Sequence, residues 1–275
     1  MTSLPGVSRT VRSRVGMALL VPLLALGLVG WLRHTPDPAV ATSAPTQATS
    51  APSPSAPHTV RVVGLGDSVA SGWGLPEGTD YVSRYAASLT PTGQAVNLAE
   101  PGATTTDVTD QLHTEQSARS AVAAADIILV TVGANDLNGL VDAWDLGGCD
   151  ASCITPAVTR MGTDLSATLD ALNTARPVGS RVYVTDYWNV FEDGQAAIDD
   201  QGSAFPAWSD QVTREANTTI CTVARAHGAL CVDLWTPFKG TDGRADPTAF
   251  LQSDGDHPNA AGVDLIVEAL QRAGA

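Results

Sequence analysis

Five short runs rich in β-branched and aliphatic residues alternate along the chain with longer stretches of helical pattern, and no other feature restricts the fold as much. Val60–Leu65, Gln94–Leu98, Asp126–Val132, Arg181–Thr185 and Ala229–Leu234 read as strands, the first stopping at Gly66. Thr79–Leu89, Thr104–Ala125, Thr155–Ala175, Pro206–His227 and Asn259–Ala273 read as helices. Strands separated by helices imply βαβ crossovers, hence a parallel sheet covered on both faces. The predicted fold class is therefore α/β, a three-layer α/β/α arrangement around a parallel five-stranded sheet. In such sheets ligands bind in the crevice beyond the carboxyl ends of the strands, so residues just past each strand are the candidates for chemistry.

The residues before this pattern are of a different kind. Arg9, Arg12 and Arg14 precede an uncharged run of 16 residues, Met17–Leu32. That is the pattern of an export signal, and it is short for a spanning helix. Ala39-Val40-Ala41 offers a cleavage site, though far beyond the apolar run, and no cysteine is present there for lipid attachment. Cleavage and retention as a membrane tether both stay open. Residues 35–58 are almost all Thr, Ser, Ala and Pro. Such a stretch buries too little apolar surface to offset its chain entropy, so a disordered spacer is expected. The expected organisation is residues 1–34 as signal or anchor, 35–58 as linker and 59–275 as one domain, placed outside the cell or at its envelope.

Four of the 15 basic residues but only one of the 29 acidic ones (Asp37) lie before residue 59, which leaves the domain 11 basic and 28 acidic side chains, a net of −17. That charge repels phosphate backbones, so no nucleic-acid partner is expected. Lys239 is the only lysine and reads as compositional bias. Cys149, Cys153, Cys221 and Cys231 all fall in the exported part, which suggests two disulfides. Three pairings are open. The local ones, Cys149–Cys153 and Cys221–Cys231, are favoured because each closes a short loop. No C-x-x-C pair or nearby histidine supports the rival reading, a zinc site.

Four blocks follow the strands. The first strand runs into Gly66-Asp67-Ser68, where glycine permits a tight turn and a helix can begin with its N–H groups facing an anion. The second is followed by Gly102, able to present a bare backbone N–H. The third continues into Gly133-Ala134-Asn135-Asp136, whose Asn135 carboxamide suits an oxyanion, or alternatively a helix N-cap. Near the C-terminus, Asp254 lies three residues before His257, and Pro258 disfavours helix at His257. Each block alone has an ordinary reading as a turn, a cap or a solvated acidic loop.

Together, in this order, the blocks at Ser68, Gly102, Asn135 and His257 and the Asp254–Pro258 ending resemble the SGNH hydrolases, also called GDSL esterases and lipases, over about residues 60–275. Val69 replaces the leucine of the GDSL name, a position that varies in the family. The resemblance implies a flavodoxin-like sheet and a serine esterase. Ser68 would be the nucleophile, His257 its base and Asp254 the residue orienting the imidazole. The N–H groups of Ser68 and Gly102 and the Asn135 side chain would form the oxyanion hole. Asp256 competes with Asp254 but is too near His257 in sequence to reach the ring easily. Asp67 and Asp136 are expected to shape turns. No metal or organic cofactor is required.

Gly64-Leu65-Gly66 hints at a dinucleotide fingerprint, but no later glycine completes it. Gly66-Asp67-Ser68-Val69-Ala70 nearly spells an α/β-hydrolase elbow, but that serine follows a later strand of its fold. His34, His58, His113 and His227 have no comparable setting, and the Asn217-Thr218-Thr219 sequon is expected to be bare. Trp73, Trp144, Trp188 and Trp208 lie in predicted loops or element ends, where exposed rings stack on sugars and buried ones merely pack. The expected substrate is a small-molecule or glycan ester with a short-chain or carbohydrate acyl group, and the expected state is a monomer. The alternatives are a lipase or lysophospholipase, a glycan-active enzyme or acyltransferase on the same scaffold, and a non-catalytic envelope-binding module.

Overall fold

In the computed structural model, which describes residues 59–275, the five apolar runs become strands β1 (Arg61–Gly66), β2 (Gln94–Asn97), β3 (Ile127–Thr131), β4 (Arg181–Thr185) and β5 (Leu230–Val232). All pair in parallel in the order β2-β1-β3-β4-β5. The helices are α1 (Ser68–Ser71), α2 (Tyr81–Leu89), α3 (Thr105–Thr114), α4 (Gln116–Val122), α5 (Gly139–Asp145), α6 (Ala151–Ala175), α7 (Gly194–Gln201), α8 (Phe205–Ala226), α9 (Trp235–Lys239) and α10 (Ala260–Gly274). On one side α2 and α10 pack together and against β1, β2 and β5; on the other, α3, α6 and α8 pack in a row, with α8 on β4 and β5. β3 is buried throughout, and so is β1 beyond Arg61. The expected signal, its Met17–Leu32 run and the spacer lie outside the described residues. Among the described residues no helix is long and apolar enough to cross a membrane.

The strand order reverses between β1 and β3, which makes their carboxyl ends the place for a crevice. Ser68 follows one of these strands and Asn135 the other. Local signals set the flanking helices. Asp80 caps α2 by accepting from the Ser83 N–H at 2.9 Å, and Thr104 and Asp107 form a reciprocal capping box on α3.

Some boundaries differ from expectation. The helix predicted over Thr104–Ala125 is two, broken at Glu115, whose backbone is extended. No Gly or Pro marks the break. The Arg119 guanidinium takes up the carbonyl of His113 at 2.6 Å and so satisfies the end of α3. The helix expected from Thr155 begins at Ala151, because Asp150 caps it through the Ser152 N–H at 2.8 Å. The favoured disulfides form, Cys149–Cys153 and Cys221–Cys231, with Cα separations of 5.7 and 5.1 Å. Both thiol pairs are consumed, which removes the zinc reading.

Lys239 is not a compositional accident. Lys239 is 4% exposed, and its ammonium lies 2.6 Å from Asp193 and 2.8 Å from Asp210. Asp193 caps α7, and its backbone N–H donates to the Gly255 carbonyl at 2.8 Å. One buried cation therefore ties α8, α9 and the start of α7 to the turn that carries Asp254 and His257. Replacing it leaves two facing carboxylates without their countercharge. Lys239→Met is expected to lower the unfolding free energy by about 3–5 kcal/mol, read as a fall in the urea midpoint. An unchanged midpoint would show that the cluster contributes nothing.

Candidate active site

The turn at Ser68 follows from close packing of two strands. Gly66 has φ +126°, and a Cβ there would lie 1.8 Å from the Thr131 carbonyl oxygen, so β1 can leave the sheet only through glycine. The next N–H, of Asp67, donates to that same carbonyl at 2.9 Å. The buried Asp67 carboxylate accepts the Val69 N–H at 3.0 Å and the Tyr187 hydroxyl, which starts α1 at Ser68. As the first residue of that helix, Ser68 has no intrahelical acceptor for its N–H. Asp67 thus shapes the turn, as expected.

The other two residues expected to donate, Gly102 and Asn135, lie in the neighbouring loops. Gly102 sits in a turn with φ +83°, a conformation that favours glycine, and a Cβ there would meet nothing within 4 Å. Asn135 opens a 3-10 turn, Asn135–Leu137, but does not cap it. Its Nδ2 donates to the Ala103 carbonyl at 3.0 Å, which ties the Gly102 loop to the end of β3. Its side chain lines the same cavity as Ser68. Asp136 fixes this loop from the other side, accepting the Thr105 N–H at 3.0 Å and hydroxyl at 2.6 Å.

The His257 turn is built by Asp254. Its Oδ1 accepts the backbone N–H groups of Asp256 and His257, both at 3.1 Å, and its Oδ2 faces His257 Nδ1 at 2.8 Å. That contact fixes the imidazole and directs Nε2 the other way. Nε2 is buried and has no hydrogen-bond partner among the described residues. Asp256 does reach the ring, contrary to expectation, but on the Nε2 side and at 3.8 Å, beyond hydrogen-bond range. The turn is joined to the Ser68 side through Trp73: its N–H donates to the Ser68 carbonyl at 3.0 Å, and its carbonyl accepts from Gln252 Nε2 at 2.7 Å. Gln252 N–H in turn donates to the His257 carbonyl at 2.8 Å. The Trp73 and His257 ring centroids are 6.3 Å apart.

A cavity of about 170 Å³ opens beside Ser68. Asn135, Asn138, Asn189, Glu192, Gln201 and Asp256 contribute its polar wall, and Val141 and Phe205 are among its apolar residues. No lysine, arginine or histidine lines it. Burial raises the carboxyls of Asp67, to about 7, and of Asp256. Burial also works to raise Asp254, but the hydrogen bonds from the His257 backbone and ring outweigh it and hold that carboxyl below its ordinary value. Deprotonated Asp254 is the form that orients an imidazole N–H.

Several site residues escaped the sequence reading. Tyr187 donates to Asp67 and lies 3.5 Å from the Ala134 N–H, joining the ends of β1 and β3. It follows β4, so the rule about strand ends pointed to it, but no motif did. Asn217 holds Tyr187, accepting its N–H at 3.1 Å and donating to its carbonyl at 2.7 Å; the sequon asparagine is buried in the fold. The tryptophans divide. Trp188 is wholly buried, stacked on Phe238, and Trp208 packs on Phe191, so neither reaches a sugar. Trp144 is half-buried against Trp208. Trp73 alone of the four is exposed, at 53%.

A five-stranded parallel sheet with a serine at the exit of β1 and an Asp-His pair before the last helix defines a serine hydrolase of the three-layer α/β/α type. The profile of the GDSL-like Lipase/Acylhydrolase family matches residues 65–265. The chain belongs to that family and is a serine ester hydrolase. No curated protein sequence matches it. Solved structures share the fold. A lipase from a goat rumen metagenome superposes with a TM-score of 0.62 at 20% identity, covering 78% of this chain and 98% of its own. An extracellular lipase from Streptomyces rimosus gives 0.59 at 22% identity, over 78% and 100%. An acetyl-xylooligosaccharide esterase from a Geobacillus gives 0.54 at 17% identity, over 78% and 93%.

The buried carboxyls set a pH dependence of stability. Asp67 and Asp186 are both raised to about 7 in the fold, chiefly by burial, from an unfolded value of 3.8. Between those values the folded state holds protons that the unfolded chain has released, so stability falls as pH rises through the window and levels off above it. The urea midpoint is expected to be lower at pH 8 than at pH 5, by an amount on the order of a few kcal/mol in unfolding free energy. Asp67→Asn, which keeps an acceptor for the Val69 N–H, is expected to flatten that slope. A slope unchanged by the substitution would contradict a protonated Asp67.

Proposed function

We propose that the protein is an exported esterase that removes short acyl groups from hydroxylated, carbohydrate-like alcohols, with Ser68, His257 and Asp254 as its triad. The observation that carries this reading is the wall of the cavity beside Ser68, where amide and carboxylate side chains interrupt the apolar surface. A long acyl chain in that space would strip water from those groups without replacing their hydrogen bonds, which costs free energy for each. A short acyl group leaves them solvated or paired to substrate hydroxyls. The acidic lining also disfavours phosphate-bearing lipids. The exposed Trp73 ring beside His257 offers a flat apolar face to a sugar, and the two disulfides suit an oxidising compartment outside the cytoplasm.

In this mechanism Ser68 Oγ attacks the ester carbonyl while His257 Nε2 takes its proton. The carbonyl electron pair moves onto oxygen, which the Ser68 and Gly102 N–H groups and Asn135 Nδ2 receive. The pair returns, the bond to the alcohol breaks, and the imidazolium gives its proton to the leaving oxygen. Water then attacks the acyl-Ser68 ester, loses a proton to His257 and releases the acid; that proton restores the serine hydroxyl. Asp254 keeps the Nδ1 proton in place and stabilises the imidazolium.

Rates on p-nitrophenyl esters from acetate to palmitate test the substrate. The expected kcat/KM is highest at acetate to butyrate and falls with longer chains; a rise toward palmitate would overturn the reading in favour of a lipase. On the acetate ester, Ser68→Ala is expected to abolish turnover, and Asn135→Ala to lower kcat by about 10²–10³. Unchanged turnover in folded Ser68→Ala protein would refute the assignment of the nucleophile.

A further inference from the structure

His257 Nε2 has no hydrogen-bond partner among the described residues, so no bond from that nitrogen holds the imidazole in register with Ser68. Their relative position has to come from the backbone. Asp254 orients the ring only within its own turn. Asp193 ties that turn, through the Gly255 carbonyl, to the start of α7. Gln252 makes the tie to the nucleophile. Its backbone belongs to the His257 turn: its N–H donates to the His257 carbonyl at 2.8 Å and its carbonyl accepts the Gly255 N–H at 3.1 Å. Its side chain reaches out of the turn, Nε2 donating to the Trp73 carbonyl at 2.7 Å and to the Pro258 carbonyl at 3.1 Å. Carbonyl oxygens only accept, so the carboxamide orientation is fixed and both its hydrogens are used. Trp73 N–H then donates to the Ser68 carbonyl at 3.0 Å. Among the described residues no other hydrogen bond joins residues 68–78 to the turn at 251–258. The next residue makes room for the contact: a Cβ on Gly74 would lie 2.3 Å from Gln252 Oε1.

We infer that Gln252 is a positioning residue for the hydrolysis: its carboxamide, bonded to the Trp73 carbonyl, sets the place of the His257 imidazole relative to Ser68 Oγ. The inference rests on the reading of Ser68 and His257 as nucleophile and base, through which Gln252 acts without touching the substrate. Proton transfer needs hydrogen-bond reach between the two side chains, and a misplacement of about 1 Å can cost on the order of 10²-fold in rate. Without the Trp73 bond the turn keeps Asp254 on Nδ1 and its tie to α7. The imidazole then stays oriented but can shift against Ser68. His257 moves a proton in both acylation and deacylation, so both steps slow together and KM stays near its value.

Hydrolysis of p-nitrophenyl acetate by four forms of the full chain tests this: wild type, Gln252→Met, His257→Ala and the double variant, each with its urea midpoint as the check on folding. Gln252→Met, of similar length but without a donor, is expected to lower kcat by about 10–10²-fold with KM within about twofold of wild type. In the His257→Ala background the same substitution is expected to change the residual rate by less than about twofold, because no imidazole is left to position. Gln252→Glu, which keeps the shape and loses the N–H donors, is expected to repeat the loss and serves if Gln252→Met fails to fold. An unchanged kcat in folded protein, a loss confined to KM, or an equal loss with and without His257 would overturn the positioning role while leaving the triad intact. A His257→Ala variant as fast as wild type would overturn the triad, and the role of Gln252 with it.

Discussion

The site depends on the approach of β1 to β3 at Gly66. With a Cβ there only 1.8 Å from the Thr131 oxygen, no other residue lets the first strand turn out of the sheet at that height. The same carbonyl accepts the Asp67 N–H, and Asp67 then begins a four-residue helix. These steps leave Ser68 at the mouth of the crevice where the strand order reverses. Asn135, past the end of the adjacent strand, comes to the same cavity for the same topological reason.

The second half of the site is assembled differently. Asp254 and His257 come from a turn with no strand behind it, so side chains and buried charge must hold what the sheet cannot. Asp254 folds the turn by accepting two backbone N–H groups while it orients the imidazole. Asp193, paired to Lys239, anchors Gly255 between them. The result is an acidic neighbourhood in which one carboxyl is held ionised by hydrogen bonds and others are driven toward the neutral form by burial. Two carboxylates two residues apart, Asp254 and Asp256, therefore take different roles: one on Nδ1, the other 3.8 Å from Nε2 on the cavity side.

The fold was legible because buried parallel strands are nearly continuous apolar runs, and β3 and β4 were located to within a residue or two. The blocks at Ser68, Gly102, Asn135 and His257 were legible because each follows a strand or precedes a helix. What escaped was long-range and chemically ordinary in sequence. Tyr187 and Asn217 are 30 positions apart and meet only through packing. Glu115 breaks a helix without a breaker residue, because Arg119 supplies the missing partner. Lys239 looked like composition because its partners, Asp193 and Asp210, lie 46 and 29 positions earlier. Tryptophan exposure was unreadable for a related reason: burial of Trp188 and Trp208 is decided by aromatic neighbours from other elements.

The central claim is that one activated hydroxyl, that of Ser68, faces an imidazole oriented by Asp254. Reaction of the folded chain with a fluorophosphonate, followed by mass-spectrometric mapping of the adduct, tests it most directly. A single adduct on the peptide containing Ser68, formed far more slowly in His257→Ala protein, is the predicted result. An adduct on a different serine, or equal labelling with and without the imidazole, would contradict it.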